Sequence, residues 1–232
     1  MLSALAAGWT ASGAGMDMHS ANAGGAPRLV ILLAMWWVMM AAMMLPSTAP
    51  VVLLYGRIRQ QHASRGGIAG SWIFLAGYML VWLGASAVAT AIQIAVTRAG
   101  VIDPMTMRAA SPFFSALTLI AAGIYQLTPA KNACLSECRS PAEYLSRHWR
   151  PGVSGALRLG MLHGRFCVGC CWLLMALLFV GGVMNLAWIA ALAGLVAVEK
   201  LFRRGQLVGR LGGVILIAWG ATRMALDLGA GG

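Results

Sequence analysis

The stretch His163-Gly164-Arg165-Phe166-Cys167-Val168-Gly169-Cys170-Cys171-Trp172-Leu173-Leu174-Met175 decides how this chain folds. A basic segment enters an apolar run there, and three thiols sit at the entry. On a helix, His163, Cys167, Cys170, Cys171 and Met175 follow one another at spacings that place them on one face. Such a face suits a soft metal, thiol redox chemistry, or plain packing. An apolar helix entered through a basic residue is also how a bilayer boundary reads in sequence.

Composition agrees with a bilayer. The chain is 60% hydrophobic and 10% charged, with a mean hydropathy of +0.78. Soluble domains carry roughly 25% charged residues. Several apolar runs exceed the ~18 residues that mark a spanning helix. The expected fold class is all-α: a polytopic integral membrane helix bundle with about six transmembrane helices. A flexible tail is expected over residues 1–27, and a single transmembrane domain over 28–228. The formal net charge of +11 lies in loops between apolar runs, as orientation-setting charges do, so no nucleic-acid partner is expected. The residues before Arg28 lack a basic segment followed by a long apolar core, so no signal peptide is expected. Five cysteines exclude a fully paired disulfide framework.

The tail holds Met16-Asp17-Met18-His19, either chance composition or a weak capture site for a soft cation. The first span is expected from about Leu29 to Tyr55, with Pro46 and Pro50 kinking or breaking it. At its centre Met35, Met39 and Met43 form one helical ridge, and Met40 and Met44 the next. Thioethers pack irregular cores well and also bind soft ions. Further spans are expected near 71–96, 112–127, 166–183, 186–202 and 207–226. Residues 155–165 read as a separate interfacial helix before the fourth span. Its Gly160 and Gly164 permit close approach to a neighbour, as do Gly205, Gly209 and Gly213 on the last span.

The longest loop opens with Thr128-Pro129, an N-cap followed by proline at the first helical position. A short helix should run from Pro129 to Arg139 and stop at Ser140-Pro141. Cys134 and Cys138 share a face on it. Lys and Arg concentrate in the loops after spans one, three and five. The positive-inside rule then puts the amino terminus outside and both cysteine clusters at the cytoplasmic side. The chain is expected in a bacterial inner membrane, with the lipid bilayer as its surround.

The cytoplasm keeps thiols reduced, so these clusters read as ligands or redox centres rather than structural bridges. Thiolates and thioethers select Cu(I) or zinc, and abundant thioether favours Cu(I). The candidate metal ligands are Cys134, Cys138, Cys167, Cys170, Cys171, His163, Met35, Met39 and Met43, with the two cysteine clusters expected to converge in one pocket. His163 also suits lipid headgroups. Glu199 reads as a helical ion pair with Arg203, as a counter-charge to Arg165, or as part of a metal site.

Three blocks carry a resemblance. They are Trp36-Trp37-Val38-Met39-Met40-Ala41-Ala42-Met43-Met44-Leu45-Pro46-Ser47, Tyr125 to Pro141, and Gly160 to Met175 with Glu199-Lys200. Together they resemble a bacterial family of predicted metal-binding integral membrane proteins, some labelled copper chaperone-like. The resemblance covers about Arg28 to Asp227. It implies a metal role for Cys134, Cys138, Cys167, Cys170, Cys171 and the methionine block. Members often carry a further apolar segment at the amino end, where this chain is short.

Membrane copper handling is thus the first functional expectation: binding, delivery or permeation. The second is an enzyme, a thiol-disulfide oxidoreductase working with a quinone, since Cys167-x-x-Cys170 has redox-motif spacing. The charge pattern puts those thiols on the wrong side for secreted substrates. The third is a membrane subunit that scaffolds a metalloprotein. A soluble metal-carrying or enzyme partner fits the first and third. No carboxylate pair, nucleophile triad or phosphate-binding glycine loop supports a hydrolase or a nucleotide-driven pump.

Overall fold

Apolar runs form helices because a helix satisfies its own backbone hydrogen bonds. The computed structural model describes residues 25–62, 67–102, 108–202 and 204–230. The Met16–His19 cluster, Arg65, Asp103 and Arg203 lie outside the described residues.

Among the described residues the elements are α1 (Gly25–His62), α2 (Gly67–Arg98), α3 (Pro112–Leu127), α4 (Pro129–Arg139), α5 (Pro141–His148), α6 (Gly152–Ala176), α7 (Leu178–Gly181), α8 (Leu186–Leu201) and α9 (Gly205–Ala230). The only β pairing among them is an isolated bridge between Ile102 and Ala109. Among the described residues four segments are long and apolar enough to cross a membrane: Pro27–Gln60, Gly70–Arg98, Gly152–Gly181 and Gly205–Asp227. A fifth is reached if α3 and α4, bent by 64° at Thr128, count as one broken span.

Of the kink or break expected at Pro46 and Pro50, the break does not occur: α1 runs through both. Near them Ser47 Oγ donates to the Met44 carbonyl at 2.9 Å. Residues 155–165 are not a separate interfacial helix but the first half of α6, which continues unbroken into the thiol stretch. Gly160 and Gly164 are close-approach positions, as expected: a Cβ at Gly160 would strike the Phe74 carbonyl, and one at Gly164 the Val81 side chain. The Thr128-Pro129 start is as expected: the Lys131 amide donates to Thr128 Oγ1 at 3.3 Å, which caps α4.

The described residues form two compact units, one drawn from 25–90 with 134–169 and the other from 91–133 with 170–230. In the first, Val51, Tyr55, Phe74, Tyr144, Leu145, Ala156 and Leu159 make the core. Here α2 and α6 touch through backbone: a side chain at Gly77 would strike the Leu157 carbonyl, and one at Gly160 the Phe74 carbonyl. In the second unit α3 lies along α9. A Cβ at Gly213 would sit 2.9 Å from the Gly123 carbonyl oxygen, and one at Gly220 2.9 Å from that of Ala116. Small residues at these crossings let helix backbones meet.

Candidate metal centre

The first unit gathers soft donors around α6. Its Cys167 is fully buried and His163, one turn earlier, is nearly so. Three aromatic rings surround the imidazole: Tyr144 at 5.1 Å between centroids, Tyr78 at 5.8 Å and Phe74 at 6.1 Å. The Tyr78 hydroxyl lies 3.0 Å from Cys167 Sγ. On its other side it accepts from Thr48 Oγ1 at 2.8 Å. In the contact with sulfur either the phenol or the thiol can be the donor.

Thr48 is one helical turn beyond Met44 on α1. All five methionines of the block, Met35, Met39, Met40, Met43 and Met44, are buried. The Ser86 hydroxyl reaches Met40 Sδ at 3.6 Å. The unit therefore combines a thioether row on α1 with a hydroxyl–thiol link from α1 through α2 to α6.

The second cysteine pair is arranged differently. Cys138 is buried and Cys134 half-buried on α4. A Cβ at Gly169 would stand 2.9 Å from Cys134 Sγ, so Cys134 rests on α6 where that helix has no side chain. Gly169 is about 200° round the helix from Cys167. Cys134 thus meets α6 on the side away from the Tyr78 contact. Cys138 lies near Tyr144, whose hydroxyl donates to the Leu159 carbonyl at 2.7 Å. Burial, then the charges of Cys138 and Glu137, push that phenol well above the usual tyrosine range.

None of the five cysteines is in a disulfide. Cys170 and Cys171 are buried further along α6. Among the described residues, no three His, Cys, Asp or Glu side chains are gathered to hold a metal ion. The donor chemistry of the first unit fits a soft cargo ion, since thiol, imidazole and thioether all occur in it.

The family whose sequence model matches the chain is PpoB2, copper chaperone, over residues 33–223. The chain belongs to this family. Comparison with curated proteins and with solved structures returns no match. The span matched to the PpoB2 copper chaperones contains the methionine block, both cysteine clusters and His163. It also contains residues that sequence reasoning did not select. Thr48 and Tyr78, which reach Cys167, carry no spacing signal because they lie on two other helices.

Of the partners expected for Glu199, Arg203 lies outside the described residues. In the second unit Glu199 Oε2 accepts from Lys131 Nζ at 2.6 Å, and its Oε1 from Gln126 Nε2 at 2.9 Å. Lys131, Glu199 and Gln126 are all at most 2% exposed. The available signal was a carboxylate near the end of an otherwise apolar helix.

Proposed function

We propose that this protein binds Cu(I) within a membrane and passes it along a row of soft ligands. The family match supports copper as the cargo. The observation that carries the ligand assignment is the burial, in one unit, of Met35, Met39 and Met43 with His163 and Cys167. Cys167 and His163, with the methionine row, form the inner station. Cys134 and Cys138 form a receiving pair, and Cys170 and Cys171 continue the thiol face of α6. A chain of low-coordinate stations does not need three ligands gathered at one point, and weak successive sites allow an ion to leave as well as enter.

The membrane setting is part of this reading. Exposed Leu53, Trp72, Val88, Phe113, Ile215 and Leu226 give the long helices apolar outer faces, which suit lipid better than water. The reading takes six crossings: the four long segments, the bent α3–α4 pair, and α8 as a short one. At ~1.5 Å per residue α8 falls short of a ~30 Å core, a mismatch that local thinning accommodates. The basic loops then face the cytoplasm of a bacterial inner membrane, with the amino terminus outside. A soluble copper carrier would meet the receiving pair there.

The test is elemental analysis of detergent-purified protein prepared under reducing conditions, followed by Cu(I) competition with a chromophoric chelator. Near-stoichiometric copper with little zinc is expected. Cys167→Ser and Cys134→Ser should each weaken Cu(I) binding at least tenfold, the scale of losing a ligand or its support. Protein that takes up no Cu(I), or serine variants that bind as well as the parent, would overturn the reading. Impermeant thiol reagents applied to each side of sealed vesicles test the orientation.

A further inference from the structure

The joint between α3 and α4 is bent by 64° at Thr128. Thr128 is extended there, with φ −73° and ψ 147°. Pro129 has no amide proton with which to continue the helix. The local bonds are those of Thr128: its amide and its Oγ1 both donate to the Tyr125 carbonyl, the latter at 2.7 Å, and the Lys131 amide donates to the same Oγ1 at 3.3 Å. That hydroxyl caps both helix ends, and the side chains flanking it, Gln126 and Lys131, are held by another helix.

Glu199 of α8 meets both sides of this joint. Gln126, in the last turn of α3, donates to one carboxylate oxygen at 2.9 Å. Lys131, in the first turn of α4, donates to the other at 2.6 Å. Space for the carboxylate is kept by α9, where a Cβ at Gly209 would lie 3.1 Å from Glu199 Oε1. A buried ion pair adds little net stability over a packed apolar pair, but it holds its partners to one geometry, since a misaligned charge is left unpaired.

We propose that Glu199 is the positioning residue of the bent pair. Its carboxylate clasps Gln126 and Lys131 across the Thr128-Pro129 joint and so fixes the direction of α4. Cys134 and Cys138 stand about one and two turns beyond Lys131 on that helix. The clasp therefore sets where the receiving thiols point. The consequence for copper rests on the function proposed above; the consequence for the bend does not.

The experiment measures the bend directly. Spin-label amino acids are placed by noncanonical incorporation at Leu117 of α3 and Ala133 of α4. Their distance distribution is read by pulsed electron paramagnetic resonance in nanodiscs. Cu(I) affinity is measured on the same variants without labels. The isosteric Glu199→Gln and the Lys131→Met variant should broaden or shift the distribution. Both should weaken Cu(I) binding about 10–100-fold, the usual cost of losing a supporting group. The exchanged pair Lys131→Glu with Glu199→Lys should narrow the distribution again and restore affinity. An unchanged distribution in folded single variants overturns the proposal. So does a folded exchange variant that stays broad, or copper loss with the bend intact. If the parent binds no Cu(I), the copper reading fails while the distance measurement still decides the clasp.

Discussion

The Tyr78 hydroxyl lies 3.0 Å from Cys167 Sγ and takes a hydrogen bond from Thr48, so one phenol links three helices at the thiol. Tyr78 is fully buried and Thr48 nearly so. Neither hydroxyl has water to fall back on. Tyr78→Phe should therefore cost about 1–3 kcal/mol, the penalty for stranding buried polar groups. Denaturant unfolding in detergent measures it. Thr48→Val on top of Tyr78→Phe should add much less than Thr48→Val alone, because both remove the same link.

The methionine row offers a way to separate packing from ligation. Met39→Leu and Met43→Leu conserve volume and apolarity, so each should change stability by less than about 1.5 kcal/mol. Leucine has no sulfur, so Cu(I) affinity should fall while the unfolding midpoint hardly moves. Equal affinity in the double variant would make the row packing alone.

Lys131 and Glu199 should behave asymmetrically. Removing one partner, as in Lys131→Ala, leaves a buried charge and should cost about 3–5 kcal/mol. Replacing both, as in Lys131→Met with Glu199→Leu, should recover most of that loss. Thermal unfolding of the three proteins in one detergent checks the order.

Gly160 and Gly84 should respond in opposite directions to the same change. A Cβ at Gly160 runs into the Phe74 backbone, whereas Gly84 has nothing within 4 Å. Gly160→Ala should destabilise by about 1–3 kcal/mol through forced separation of α2 and α6. Gly84→Ala, in an open helical position, should stabilise by about 0.5–1 kcal/mol. Paired unfolding curves decide this.

The apolar runs by themselves determined that this chain is helical, because only helices can bury such stretches with every backbone group satisfied. They also fixed the start of α4 at Thr128-Pro129, where capping chemistry is local. Helical spacing placed His163 and Cys167 on one face, and marked Gly160 and Gly213 as contact points. Local pattern misjudged the first half of α6, since its Arg158 and Arg165 are polar interruptions that hydropathy reads as lying outside a span, although the helix continues through both. What only the tertiary structure decided is which groups from different helices meet. Tyr78 is 89 residues from Cys167, and Lys131 is 68 from Glu199. No local period encodes such pairs. They form because burial forces each polar side chain to find a partner, and packing alone determines which one is within reach.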